Sequence, residues 1–318
     1  MKKVLAVAAI LGLAGAAQAQ VTMYGLLDMS IGKNEYNGDK SVQIHSGGDD
    51  GSFQGNSTTR VGLKGSTEAA PGVKANFNLE TAGITGNGNV GGAGTAFFNR
   101  QAWAGISGSL GEVRIGKQDS VAFQTMIGFD FNGAANAASA QGAAGAGTFF
   151  GADGTPELGG GRRARSLQYI SNDMGGLKVQ AGVEIKGDVP NAKDSFALGL
   201  TYTAGPLSVA YTGESSRKNG GSDFNAIAGS YDLGVAKIML GYADGGNNAR
   251  GTTFGITAPV AGFNVGAILS QNSDTKAMGS ELFINKEIFK GTYAYFDYGN
   301  LDKPTSLNAY AAGVIFTF

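Results

Sequence analysis

From residue 21 onward the chain alternates apolar and polar side chains in segments of about ten residues, the period-two signature of half-buried strands. Val21, Met23, Leu27, Met29 and Ile31 alternate with Thr22, Tyr24, Asp28 and Ser30, and Val73 to Leu79 alternate with Lys74 to Glu80. Leu177 to Ile185 and Phe196 to Tyr202 repeat the pattern. Each segment has one apolar and one wet face. The final stretch, Tyr310 to Phe318, places Phe318, Phe316, Val314, Ala312 and Tyr310 on one parity, with smaller residues on the other. A soluble domain would leave such an aromatic edge exposed and sticky. Lipid outside, water inside and closure against the first strand resolve the conflict.

Strands are expected to start near 21, 58, 73, 97, 110, 164, 177, 194, 207, 223, 235, 251, 263, 277, 291 and 308. Short Gly-, Pro- and Asp-bearing turns at 68–72, 173–176, 204–206, 232–234, 259–262 and 286–290 alternate with longer connections. The fold class is therefore all-β: a 16-stranded antiparallel transmembrane barrel, wide enough for an aqueous channel. The pair near 97–118 alternates least cleanly and is the expected place for barrel to pack on barrel. Residues 119–163 lack a strand pattern, carry Ala- and Gly-rich sequence with Phe129, Phe131, Phe149 and Phe150, and end in Arg162, Arg163 and Arg165. A connection of that length points to a functional loop, here expected to fold back into the lumen.

Lys2 and Lys3, the apolar run Val4 to Ala17 and the Ala17-Gln18-Ala19 site read as a secretory signal peptide over 1–19, leaving 20–318 as the barrel. The run is too short to span a membrane. Composition agrees with a barrel. The 54 glycines and six prolines in 318 residues disfavour helices, while 18 Phe and 11 Tyr supply apolar surface that disordered chains lack. There is no cysteine, so neither disulfides nor thiolate metal sites arise. Lys and Arg (24) nearly balance Asp and Glu (25), which gives no support for a nucleic-acid partner.

Arg60 shares the parity of Gly62 and Lys64, opposite Val61 and Leu63, and so should face the lumen; near the midplane of a lipid face it would cost roughly 2–4 kcal/mol. Arg114, between Val113 and Ile115, has the same logic. With Arg163 from the end of the long loop these are expected as the cationic wall of a constriction; Asp119 and Asp130, with Asp153 and Glu157, are candidate opposing acids. Gly86-x-Gly88-x-x-Gly91 spells a dinucleotide fingerprint, but a strand rather than a helix follows, and no cofactor is expected. Asp49-Asp50 lacks spaced ligands, so no metal site is expected either. The single histidine, His45, sits in a polar loop, which starves catalysis by an activated nucleophile.

VTMYGLLD at 21–28, STTRVGLKG at 57–65, FFNRQAWAGISGSLGEVRIGKQ at 97–118, RSLQYISNDMGGLKVQAGVE at 165–184 and the aromatic terminal strand resemble the trimeric general porins of Gram-negative bacteria, most of all the β-proteobacterial branch. The resemblance implies a sixteen-stranded barrel in the outer membrane, a homotrimer among lipid and lipopolysaccharide, and a third external loop narrowing each channel. It places Arg100, in the Asn-Arg-Gln segment, on the inner wall, facing loop acids. It also makes Phe318 a signal to the barrel-assembly machinery. Members often carry Arg where Gln168 stands, so fewer wall cations here would weaken an anion preference. The function it implies is passive diffusion of small ions and hydrophilic solutes, mildly anion-leaning. A channel specific for organic acids or phosphate and a non-conducting surface adhesin are the alternatives.

Overall fold

The computed structural model describes residues 20–47, 55–86, 88, 90, 96–133, 138–144, 161–246 and 249–318. The expected signal peptide, Asp49, Asp50, Asp153 and Glu157 lie outside the described residues. The described chain is a single sheet of 17 strands. They run β1 (Gln20–Asn34), β2 (Gln43–Ser46), β3 (Arg60–Ala70), β4 (Val73–Ala82), β5 (Gln101–Gly108), β6 (Gly111–Asp119), β7 (Arg162–Ile170), β8 (Leu177–Glu184) and β9 (Ser195–Ala204). Then follow β10 (Leu207–Glu214), β11 (Phe224–Asp232), β12 (Lys237–Asp244), β13 (Arg250–Val260), β14 (Phe263–Asn272), β15 (Met278–Phe289), β16 (Thr292–Leu301) and β17 (Leu307–Thr317). Without β2 these form a closed barrel of 16 antiparallel strands.

Closure follows the parity of the last strand. β1 pairs with β17 from Leu26↔Thr317 to Asn34↔Ala309, and Phe318 continues the ladder by exchanging backbone hydrogen bonds with Gly25 (3.0 and 3.2 Å). The Phe318 ring lies across Gly25, where a β-carbon would come within 2.3 Å of it. Phe318 and Phe316 are exposed by 53% and 47%, with ring centroids 6.1 Å apart. Such an outward aromatic face suits the membrane interface.

β2 has no counterpart in the hydrophobic pattern. β3 begins only at Arg60 and pairs with β1 up to Leu26, which leaves the outer half of that edge of β1 open. β2 pairs with Met29–Gly32 and fills it, as an exposed edge requires. A four-residue strand is too short to alternate recognisably. The strand expected near 97 starts at Gln101; Phe97 and Phe98 instead stack edge to face ahead of it.

The connection after β6 turns inward. Ser120 caps α1 (Val121–Met126), its hydroxyl accepting from the Phe123 N–H. α1 lies over the inner faces of β8 and β9, because Gly182 and Gly199 leave room: a β-carbon on Gly199 would approach Thr125 to 2.2 Å. Ala122, Met126 and Phe129 pack on Ala210, Ala226, Ala228 and Met239. Those inner positions are small and apolar because the loop covers them. Burying Met126 and Phe129 supplies roughly 1.5–3 kcal/mol each. A second short helix, α2 (Ala140–Ala144), crosses β14 to β16, where Gly279 and Gly299 face the carbonyls of Ala140 and Ala138.

Candidate pore constriction

The loop occupies one sector of the inner wall, and the sector from β3 to β7 carries the arginines. Glu80 joins two of them: Arg100 Nε donates to its Oε1 at 2.5 Å, and Arg60 Nε lies 3.8 Å from its Oε2. Arg60 is further held by Ser57 Oγ and the Thr58 carbonyl. Beside this pair, Arg162 Nε reaches Asp119 at 2.9 Å, and its guanidinium covers the Phe123 ring at 4.8 Å. Arg60, Arg100 and Arg162 are close enough to repel one another, and Glu80 and Asp119 are what hold them together. The cluster has three cations and two acids, and the five side chains are 4–26% exposed. Partly desolvated charge of this kind acts on passing ions more strongly than fully solvated charge.

Arg114 sits on the same wall between β5 and β7, apart from the cluster. It pairs with Glu112 at 2.6 Å and stacks on Trp103, 4.2 Å from the ring. Arg163 is placed elsewhere. It is buried behind α1, bonded to Glu214 and 3.5 Å from Glu184, whose other oxygen receives Arg217 at 2.9 Å. Val121, Arg163, Glu184 and Glu214 line a crevice of about 10 Å³, so Arg163 is loop support and does not reach the pore surface. Gln168 is likewise covered: its amide donates to the Asp119 carbonyl (2.8 Å) and its Oε1 accepts from Gln124 (2.9 Å).

Asp130 does not face the arginines either. It lies near Glu281, in a buried acidic group with Asp28 and Asp297. Asn132 donates to Glu281 (2.8 Å) and Asp297 (2.9 Å); Asn56 donates to Asp297 (3.0 Å) and to Asn132 Oδ1 (2.9 Å). Asp28 accepts the Asn56 and Ser57 N–H groups and the Tyr295 hydroxyl, each at 2.7 Å. Among the described residues, the acids facing the arginine cluster come from the wall itself, Glu80 and Asp119, while Asp130, the loop's described acid, is buried and accepts the Asn132 N–H within the loop.

Sequence reasoning missed Glu80 as the bridging acid. The signal was nearly there, since Glu80 shares the wet parity of Asn76 and Asn78. A register shift between Glu68 and Ala70 hides it: pairs counted from the Pro71-Gly72 turn set Glu80 opposite Leu63, whereas the barrel sets it opposite Gly62. A second irregularity, between Gly116 and Gln118, and the left-handed Arg165 (φ 49°) reset parity in the same way where Arg162 and Arg163 meet β6.

A profile described as Gram-negative porin matches residues 6–316, nearly the whole chain. The chain belongs to the Gram-negative porin family. This porin is 31% identical to an outer membrane porin protein of Bordetella pertussis over 81% of its own length and 74% of the relative's. It is 30% identical to outer membrane porin protein 32 of Delftia acidovorans, over 88% and 82%. Its fold superimposes on an anion-selective porin from Comamonas acidovorans with a TM-score of 0.73 at 22% identity, covering 94% of this chain and all of that one. A mutant of the Rhodopseudomonas blastica porin gives 0.69 at 15% identity with like coverage. The protein is thus an outer-membrane channel protein; Gly91 of the G-x-G-x-x-G spelling lies outside the described residues. The buried His45 pairs with Asp39 at 3.3 Å inside the first external loop.

Proposed function

We propose that this porin is a general diffusion channel with a mild preference for anions, narrowed by the loop that follows β6. The observation that carries this is the cluster of Arg60, Arg100 and Arg162 against Glu80 and Asp119 among the described residues of the inner wall. The acids that would offset it, Asp28, Glu281 and Asp297, are buried under loop contacts. Opposite charges held side by side order water and sort ions without a binding step. The relative from Comamonas acidovorans is described as anion-selective, which supports the same lean. Reversal potential across a KCl gradient tests it. Wild type should favour chloride, and Arg60→Ala with Arg100→Ala should bring the ratio to unity or below. A cation preference that the double variant leaves unchanged would sink the reading.

The same reading includes a homotrimer. The outer face of β4 and β5 carries Ala75, Ala102 and Ala104, small residues that let a neighbouring barrel approach. Light scattering in detergent, with the detergent mass subtracted, checks this against a monomer. Cleavage after Ala19, lipopolysaccharide at the outer rim, and Phe318 as an assembly signal complete the proposal. Deleting Phe318 should lower the yield of assembled barrel far more than the conductance of each assembled channel.

A further inference from the structure

The only tryptophan of the chain faces the lumen, although outer-membrane barrels normally place aromatics in outward girdles. Trp103 lines a recess of about 710 Å³ on the wall from β1 to β6, together with Lys64, whose ammonium lies over the neighbouring Tyr24 ring. Each ring carries a cation: Arg114 lies 4.2 Å from the Trp103 centroid, and Lys64 Nζ lies 5.1 Å from that of Tyr24. The polar ends of both rings are tied into one chain. Tyr24 OH donates to Asn78 Oδ1 (2.9 Å), Asn78 Nδ2 to Gln101 Oε1 (3.3 Å), and Trp103 Nε1 to the same oxygen (2.7 Å). A second chain orients the cation: Arg114 bonds Glu112, whose other oxygen accepts from Asn76 at 3.0 Å. Ordinary wall polarity needs neither ring nor stacked guanidinium. Together they make a recess with a pre-set indole surface beside fixed positive charge, and its lining cations Lys64, Lys74 and Arg114 exceed its acids Glu68 and Glu112.

We propose that this recess is a weak binding site for planar aromatic carboxylates on the permeation path, with Arg114 and Lys64 meeting the carboxylate and Trp103 meeting the ring. The proposal deepens the anion-leaning reading and rests on it. A preorganised ring and cations reduce the ordering cost of binding, so a small anion can be held briefly without being trapped. An aromatic anion gains both stacking and charge. Acetate gains only charge, and benzylammonium only stacking, against repulsion.

A single tryptophan makes the test direct. The purified, folded porin is titrated with benzoate, acetate and benzylammonium while Trp103 fluorescence is read. Benzoate should give a saturating change with half-saturation in the millimolar range, with no saturable response to the other two. Arg114→Gln should raise the benzoate half-saturation about tenfold, and Lys64→Gln by less. A linear response to benzoate, or equal responses to benzoate and benzylammonium, overturns the proposal in the wild-type protein alone, whether or not the variants assemble. So does an Arg114→Gln titration that matches wild type. Reversal potentials on the same preparation separate the two readings. Chloride preference without saturable benzoate binding defeats only the site. Loss of chloride preference with benzoate binding intact defeats only the general anion lean.

Discussion

Two neighbouring sectors of the inner wall bury carboxylates in opposite ways. From β3 to β7, Glu80 and Asp119 are each paired with arginine on the inner wall. From β15 across β17 to β1, Glu281, Asp297 and Asp28 are held by amides, a hydroxyl and backbone N–H groups, and among the described residues no Lys or Arg pairs with them. The first arrangement is a field and the second is a fastening. Asn132 and the Ala140 N–H tie the inner loop to the second sector, and Asn56 and Ser57 tie the first external loop there as well. The difference explains how a chain with a formal net charge of −1 presents an arginine-weighted wall. Asp28, Glu281 and Asp297 are withdrawn from the pore to hold loops, whereas Arg60, Arg100 and Arg162 are not.

The largest effect should come from breaking the first sector at its hinge. Glu80→Gln removes the acid shared by Arg60 and Arg100 and leaves two nearly buried guanidinium groups facing each other. Breaking a buried pair in this way costs roughly 3–5 kcal/mol, reduced here because Arg60 is partly open to the lumen. Denaturant unfolding of the purified barrel should show that loss, and reversal potential should move toward stronger chloride preference. A shift toward potassium would mean that Glu80 is not part of the ion path.

Next is the fastening itself. Asn132→Ala deletes donors to two buried acids, at about 1–3 kcal/mol for the stranded partners. Its expected signature is different: more frequent current fluctuations in single channels, with ion selectivity unchanged. Gly199→Val should produce a similar signature from the other end, since its side chain would displace Thr125 and Val121 of α1. If either variant changes selectivity as much as Glu80→Gln does, the division into field and fastening fails.

How much of this could be read from the chain differs between the sectors for a physical reason. Alternation and turn chemistry located the barrel strands within a few residues, because a wall with lipid on one side and water on the other must alternate. Arg60 and Arg114 followed from parity alone. Parity put Glu80 on the wet face but could not set it beside Arg60, because the register between β3 and β4 passes through a bulge, nor give the covering of Arg163, which depends on where the loop lies. The acid cluster is still less legible. Asp28, Asp130, Glu281 and Asp297 are far apart in sequence, and only closure of the barrel and docking of the loop bring them together. The lumenal role of Trp103 needed the observed pairing of β5 with β4 and β6.

The smallest expected effect, and the finest test of the comparison, is in pH. Asp130 lies on the docked loop, and burial pushes its carboxyl up to about 6, against an ordinary value near 4. The docked loop therefore favours the protonated acid. Docking should be strongest below about pH 4, weaken as pH rises from about 4 to 6, and change no further above that. Raising the Asp130 carboxyl from near 4 to about 6 sets a ceiling of about 3 kcal/mol on the effect. Single-channel recordings across that window should show loop fluctuations growing with pH, and Asp130→Asn should flatten the curve at its low-pH level. Fluctuations that grow as pH falls would reverse the sign, which requires the loop to prefer the ionised carboxylate and a cation near it. The arginine sector should behave differently over the same range, because its guanidinium groups keep their charge throughout.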